Sequence, residues 1–92
     1  MTATINTKAI QSLDAQHHLH PFTNTGALNK KGPLVIDKAE GVYLWDSEGN
    51  KILDGMAGLW CVNMGYGRKE LSDAAYLQMQ QLPYYNTFFQ TT

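Results

Sequence analysis

One glycine-rich and apolar stretch, residues 54–67 with the sequence DGMAGLWCVNMGYG, most limits the folds open to this chain. It holds four of the eight glycines, together with Trp60 and the single cysteine, Cys61. So many glycines disfavour a regular helix, because each interior glycine costs about 1 kcal/mol relative to alanine. The other residues are too apolar for a solvated loop. The pattern is typical either of a buried connection between two elements or of a wall of a ligand pocket.

Charge and hydropathy exclude several classes of partner. The net charge is −1 and the pI is near 6.2, without a basic stripe, which argues against nucleic acid as a partner. No apolar run approaches the roughly 20 residues that span a bilayer, and residues 1–12 lack the features of a secretory signal. One cysteine cannot form an internal disulfide, which favours a reducing compartment and predicts the cytoplasm.

The length and the aromatic residues together predict a piece of a larger fold. A chain of 92 residues buries only about 60–65% of its unfolded surface, which makes it marginally stable alone. Seven of the ten aromatic residues lie at or after Trp60, and the sequence stops shortly after a cluster of them. We therefore expect further polypeptide to cover these side chains.

The N-terminal third carries weak signals. Its polar start predicts a disordered or extended arm over residues 1–12. A helical pattern spans residues 9–20, with Ser12 and Asp14 as caps if a shorter helix begins there, and Pro21 ends it. Residues 22–32 are predicted to form a loop that Phe22 anchors to the body of the protein.

Three short strands are predicted over residues 34–36, 42–45 and 51–53, arranged as an antiparallel meander. The second turn, residues 46–50, fits a type I turn followed by a glycine in the left-handed region. In the middle strand both faces are apolar, so we expect a neighbouring domain or chain to cover the second face.

The clearest helix is predicted over residues 68–82, where apolar residues recur at helical spacing. Glu70 and Asp73 lie in its first two turns, where the helix dipole favours negative charge, and Pro83 ends it. Four aromatic residues then follow within residues 84–89.

Several residues invite a chemical role. His17, His18 and His20 suggest a metal site, but no carboxylate or cysteine stands at ligand spacing, so a structural or capping role is favoured. Cys61 lacks the positioned base that a nucleophile needs, and we interpret it as a small buried residue. Residues 65–67 before a helix resemble a phosphate cradle in outline, although a simple turn is favoured.

A family resemblance rests on three separated motifs in the right order. Residues 41–67, GVYLWDSEGNKILDGMAGLWCVNMGYG, resemble the N-terminal region of class III pyridoxal-phosphate-dependent aminotransferases, above all the omega-transaminases. Residues 17–22, HHLHPF, and residues 82–89, LPYYNTFF, are similar to the segments that flank this region in that family. The likeness covers residues 14–92.

The resemblance implies an α/β protein of fold-type I that binds pyridoxal 5'-phosphate and forms a homodimer or a larger oligomer. Within this segment an α+β arrangement is expected, with residues 13–55 in the small domain. Residues 56–92 would supply a pocket loop, a helix and an aromatic interface segment that lead into the large domain. The substrates would be an amine donor and pyruvate. The catalytic lysine and most cofactor contacts would lie downstream, in the rest of the polypeptide, so no catalytic residue is assigned here.

The same resemblance implies that part of this chain lines the substrate pocket. Leu59 and Trp60 match family positions beside the amine, and Cys61 lies next to them. Phe22 matches an aromatic residue of the same pocket. The pair Phe88 and Phe89 matches a position supplied across the dimer interface. The surplus of aromatic residues leaves two alternatives open: a small non-catalytic binding module, and a class III aminotransferase of the 4-aminobutyrate or ornithine type.

Overall fold

The structure, a computed structural model, describes residues 4–91, which form four helices and one three-stranded antiparallel sheet. The sheet has the order β1-β2-β3, so the predicted α+β meander is confirmed. In chain order the elements are α1 (Thr7–His17), α2 (Thr25–Lys31), β1 (Ile36–Glu40), β2 (Tyr43–Asp46), β3 (Lys51–Leu53), α3 (Ala57–Trp60) and α4 (Lys69–Gln81).

Helix α1 begins earlier and ends earlier than the sequence pattern predicts. The Asn6 side chain caps it by accepting a hydrogen bond from the Ala9 N–H at 3.0 Å, while Ser12 lies inside the helix. The prediction of an arm over residues 1–12 is therefore wrong for residues 7–12, and residues 1–3 lie outside the described part. Thr7 donates a 2.6 Å hydrogen bond to Glu48 Oε1, which joins the start of α1 to the turn between β2 and β3.

The loop predicted over residues 22–32 contains helix α2. Asn24 caps it by accepting from the Ala27 N–H at 3.0 Å, and Gly32 ends it with φ +86°. A helix of seven residues is too short to show a helical spacing of apolar residues in the sequence. Its clear sequence signals were the capping residues Asn24 and Gly32.

The first strand was predicted over residues 34–36, which is too early in the chain. Its position is set by pairing with β2 in the hairpin and not by the apolar residues that suggested it. Strand β1 is the polar segment 36–40, which pairs with β2 beyond a turn at Gly41, with φ +60°. A bulge between Ile36 and Lys38 shifts the register once. Strand β2 begins and ends one residue later than predicted, and β3 matches its prediction.

The turn over residues 46–50 is closed as predicted, with Gly49 at φ +87° and its N–H donating to the Asp46 carbonyl at 3.0 Å. The Asp46 carboxylate also accepts from the backbone N–H groups of Glu48 and Asn50 and from the Asn50 side chain. Asp46 is only 6% exposed. The Asn50 side chain is the largest cause that holds the pKa of Asp46 below its ordinary value of 3.8.

One face of the sheet is covered by lysine side chains. Tyr43 and Trp45 lie side by side with ring centroids 6.4 Å apart. The Lys51 ammonium lies 4.0 Å from the Tyr43 centroid, and Lys38 lies 5.2 Å from the Trp45 centroid. These long side chains place apolar stems and a favourable charge over the rings, so part of the expected cover comes from the sheet itself.

Apart from the sheet, the described residues pack loosely. None of their apolar side chains is fully buried, and the radius of gyration is 17.4 Å against about 12 Å for a compact chain of this length. Helix α4 agrees with its prediction to within one residue at each end, yet its apolar side chains remain exposed. Within residues 4–91 no helix has the length and apolar character needed to cross a membrane.

The Asp46 carboxylate should be a main support of the hairpin. Replacing Asp46 with alanine leaves three hydrogen-bond donors without their acceptor, so we expect the melting temperature to fall by several degrees. Asp37→Ala, on the exposed face of β1, is the matched control. Equal melting temperatures for the two variants, measured by circular dichroism, would contradict this assignment.

Candidate functional site: a left-handed turn that presents Leu59 and Trp60

The glycine-rich stretch contains a single helical turn, α3, with the wrong hand for L-amino acids. Its four residues have φ values of +49°, +58°, +62° and +71° at Ala57, Gly58, Leu59 and Trp60. Only the glycine adopts this region freely, and each other residue costs about 1–2 kcal/mol there. Such strain persists where the surroundings hold it, and it clusters at functional sites.

The Asp54 carboxylate holds this turn from its N-terminal side. Its Oδ1 accepts from the Met56 N–H at 3.0 Å, and its Oδ2 accepts from the Gly58 N–H at 2.9 Å. The Tyr66 hydroxyl donates to the same Oδ2 at 2.6 Å. Neither Asp54 nor Tyr66 was assigned a role from the sequence. The available signal was an aspartate placed to hydrogen-bond the backbone of the residues that follow it, a common turn pattern.

The hydrogen bond between Tyr66 and Asp54 shifts the pKa values of both side chains. The Tyr66 hydrogen bond is the largest cause that lowers the pKa of Asp54 below 3.8, and the same bond raises the pKa of Tyr66 above 10.0. The ionised aspartate therefore supports the fold above its unfolded pKa and loses this effect as pH falls through the lowered value. The neutral tyrosine supports the fold below 10.0 and loses its effect as pH rises through the raised value.

Both ends of the stretch are fastened to the turn between β1 and β2. Gly41 and Tyr66 exchange two backbone hydrogen bonds, of 3.0 and 2.8 Å. The Asp54 N–H donates to the Val42 carbonyl at 2.9 Å. At Gly65, with φ +85°, an added Cβ would lie 3.0 Å from the Gly41 carbonyl oxygen, so glycine is required for this close approach. These hydrogen bonds thus attach the left-handed turn to the three-stranded sheet.

The turn presents Leu59, Trp60 and Cys61 to the outside. Trp60 is 85% exposed, Leu59 is also exposed, and both project from a backbone that is hydrogen-bonded through residues 56–62. Cys61 is exposed as well, so its interpretation as a small buried residue is wrong. Its thiol donates to the Leu59 carbonyl at 3.3 Å.

Phe22 shares the unusual backbone of this turn but lies in another part of the chain. It has φ +50° and is fully exposed, so it does not anchor its loop as predicted. Among residues 4–91, the non-glycine residues with positive φ are Phe22, Ala57, Leu59 and Trp60. Three of these four are residues that the family resemblance places in the substrate pocket.

Phe88 and Phe89 follow α4 and are almost fully exposed. The Asn86 side chain accepts from the Phe88 N–H and from the Gln90 side chain, which shapes this segment. Within the described residues, no ring contact joins Phe22, Trp60, Phe88 and Phe89. The structure therefore groups residues 59–61 and leaves the other three predicted residues apart.

An open cleft of about 440 Å³ lies at the start of α4 but includes none of the predicted pocket residues. It is lined by Gly65, Tyr66, Gly67, Arg68, Lys69, Leu71 and Ser72. Its two cations are paired with neighbouring carboxylates, Arg68 with Glu70 and Lys69 with Asp73. The segment agrees better with a turn into a helix than with a phosphate cradle.

The histidines do have a carboxylate beside them, contrary to the sequence analysis. Helix α1 ends at His17, and the chain then turns so that His18 and His20 both contact Asp14, at 3.0 and 2.8 Å. The three groups could hold a metal ion. Hydrogen bonds between imidazole and carboxylate explain the same arrangement, and the bond from His20 is the largest cause that lowers the pKa of Asp14 below 3.8.

Comparisons with known proteins identify a family. Residues 25–92 match the model of the class-III aminotransferase family. A putrescine–pyruvate aminotransferase of Pseudomonas aeruginosa is 66% identical over 85 residues, which cover 92% of this chain and 19% of that protein.

Solved structures agree with this result. An (S)-enantioselective omega-transaminase from Thermomicrobium roseum superposes with a TM-score of 0.90 at 49% identity, covering 96% of this chain and 20% of that one. An omega-transaminase from Pseudomonas jessenii in complex with PMP superposes with a TM-score of 0.85 at 36% identity, covering 90% and 18%. The chain thus spans about a fifth of the length of the proteins it matches.

Alanine substitutions at three glycines should separate steric contact from backbone strain. Gly65→Ala combines φ +85° with the contact to Gly41, so we expect a loss of more than about 2 kcal/mol. Gly41→Ala has φ +60° but open space, so a loss of about 1–2 kcal/mol is expected. Gly55→Ala has neither problem and is the control. Denaturant unfolding measures all three, and a different order would contradict the close approach.

His20 should control the ionisation of Asp14. In His20→Ala the largest cause of the lowered pKa is removed, so the pKa of Asp14 should rise toward 3.8. As the pH falls below 3.8, the free energy of unfolding should decrease less in the variant than in the parent. The reason is that only the parent has the lowered Asp14 pKa, and protonation of such a group removes its contribution to stability. The measurement is an NMR titration of the Asp14 carboxyl carbon, with His17→Ala as the matched control. Equal pKa values in both variants would disprove the assignment.

Proposed function

Because the chain belongs to the class-III aminotransferase family, we propose that it forms the N-terminal part of an omega-transaminase that transfers an amino group to pyruvate. The donor is an amine or an omega-amino acid. The amine becomes a carbonyl compound, and pyruvate becomes an amino acid. The 66% identity to a putrescine–pyruvate aminotransferase supports pyruvate as the acceptor.

The observation that carries the proposal is the left-handed turn that exposes Leu59 and Trp60. Strained residues persist where the surrounding structure holds them, and they cluster at functional sites, so an exposed tryptophan on such a backbone supports a role in binding. In the proposed enzyme these two side chains form one wall of the pocket that holds the substituent of the amine. Their apolar surface excludes water and favours aryl and alkyl groups over charged ones.

Phe22, Phe88 and Phe89 are proposed to complete the pocket and the subunit interface. Their rings are almost fully exposed on the described residues, and large exposed apolar surfaces mark interaction sites. In a homodimer of the kind implied by the family resemblance, Phe88 and Phe89 would face the partner subunit's pocket. Cys61, next to Trp60, would lie at the edge of the same wall. We also propose that the enzyme works in the cytoplasm.

Class-III aminotransferases use pyridoxal 5'-phosphate, and a structural neighbour is in complex with PMP. This group supplies an electron sink for the carbon that carries the amine. The residues of this chain fit the substrate side of such a site better than the cofactor side. All six lysines are exposed, whereas a Schiff-base lysine requires desolvation. We therefore place the reactive lysine and the phosphate contacts in the part of the enzyme outside this chain.

The proposal is tested with the full-length enzyme that contains this segment. Purified enzyme with pyridoxal 5'-phosphate is mixed with a series of aryl and alkyl amines and pyruvate, and formation of alanine is followed. Transamination of at least one amine is expected. No turnover with any amine donor, in a folded enzyme that binds the cofactor, would contradict the proposal.

Trp60→Ala should change the amine specificity of that enzyme. Loss of the indole ring widens the pocket, so we expect larger amines to gain relative to smaller ones by about tenfold in kcat/KM, a value in the range for pocket contacts. Tyr76→Ala is the matched control, because Tyr76 is an aromatic residue on α4 that is not assigned to the pocket. If Trp60→Ala left rate and specificity as in the control, the pocket assignment would be wrong.

A further inference from the structure

We propose that Asp54 and Tyr66 are positioning residues that set the placement of Trp60 and thereby the size of amine that the enzyme accepts. The inference rests on the proposed function, and it concerns two half-buried side chains that hydrogen-bond to each other. Neither needs to touch the substrate. Both act through the backbone of the left-handed turn.

One carboxylate holds the turn at two points. Asp54 accepts from the N–H groups of Met56 and Gly58, at 3.0 and 2.9 Å, so it spans the entry into the turn. Met56 in turn offers its carbonyl to the N–H groups of Leu59 and Trp60, at 2.9 and 3.1 Å. The backbone of the two wall residues is therefore linked to Asp54 through a single intervening residue.

Tyr66 fixes the position of this carboxylate. Its hydroxyl donates to Asp54 Oδ2 at 2.6 Å, and its own backbone is held by the two hydrogen bonds with Gly41. Tyr66 thus connects the Asp54 carboxylate to Gly41, which lies between β1 and β2. A Cβ on Gly58 would lie 3.0 Å from the same hydroxyl and 2.7 Å from Val62 Cγ2, so Tyr66 and Val62 together fill the space beside the left-handed glycine.

The other hydrogen bonds described for the turn, from the N–H groups of residues 59–62 and from the Cys61 thiol, are made within residues 56–62, whereas the Asp54 carboxylate links the turn to Tyr66. The residues with positive φ prefer the right-handed region, and a weaker clamp lets them return toward it. Because Trp60 is the last residue of the turn, a change of its φ swings the indole ring. The pocket wall then loses its fixed position, which affects large amines more than small ones.

The experiment uses the full-length enzyme with the variants Tyr66→Phe and Asp54→Asn. Matched controls are Tyr76→Phe and Asp73→Asn on α4, which remove the same groups from exposed positions. The readout is the ratio of kcat/KM for a bulky aryl amine to that for a small alkyl amine. We expect this ratio to shift by about 3- to 30-fold in the two variants, which is part of the about 10- to 150-fold that corresponds to the loss of one hydrogen bond to a charged group. Most of the shift should appear in KM of the aryl amine.

A merely structural role would lower the melting temperature without changing the ratio, and a ratio within about twofold of the parent in Tyr66→Phe would overturn the inference. A crystal structure of Tyr66→Phe supplies a second readout that needs no activity. We expect φ at Leu59 or Trp60 to change sign, or these residues to become disordered. A turn with unchanged φ values would also overturn the inference. If instead the parent enzyme transaminates no amine, the proposed function fails, and the crystal structure still decides the positioning role.

Discussion

The hydrogen bonds of the Asp54 carboxylate are the interaction on which the rest of this structure depends. They stabilise a turn whose residues would otherwise prefer the opposite hand, and they join it to the sheet through Tyr66. Without them the backbone that carries the exposed side chains of Leu59 and Trp60 would not be held in one conformation. With them, two large exposed apolar side chains are attached to a hydrogen-bonded backbone, which is what the proposed pocket wall requires.

Two further carboxylates play a comparable part elsewhere in the segment. Asp46 closes the turn between β2 and β3, and Asp14 gathers His18 and His20 after the end of α1. All three aspartates have a lowered pKa because each accepts several hydrogen bonds in its ionised form. Short polar clamps therefore shape the loops, while the apolar side chains stay exposed. The chain spans about a fifth of the length of its relatives, and in the proposed enzyme the rest of the polypeptide would cover these apolar side chains.

Local patterns predicted some elements well and failed for others. Helix α4, strand β3 and the glycine of the turn over residues 46–50 follow from apolar spacing and turn chemistry, which act within a few residues. Helix α2 was missed because it is too short to show an apolar period, and strand β1 was placed too early because most of its residues are polar. The cluster at Asp14 was missed because the chain leaves the helix after His17, which changes which side chains can meet.

The amino-acid order sufficed to recognise the class-III aminotransferase family and the α+β meander, since motifs and turn residues are local properties. It also singled out the glycine-rich stretch, and its assignment of Leu59 and Trp60 to a pocket stays a prediction. The hand of the turn and the roles of Asp54 and Tyr66 required the folded chain. Residues 12 positions apart share one hydrogen bond there, and no local preference favours a left-handed backbone at alanine, leucine or tryptophan. Contacts made by the sheet outweigh that preference, and such contacts exist only after folding.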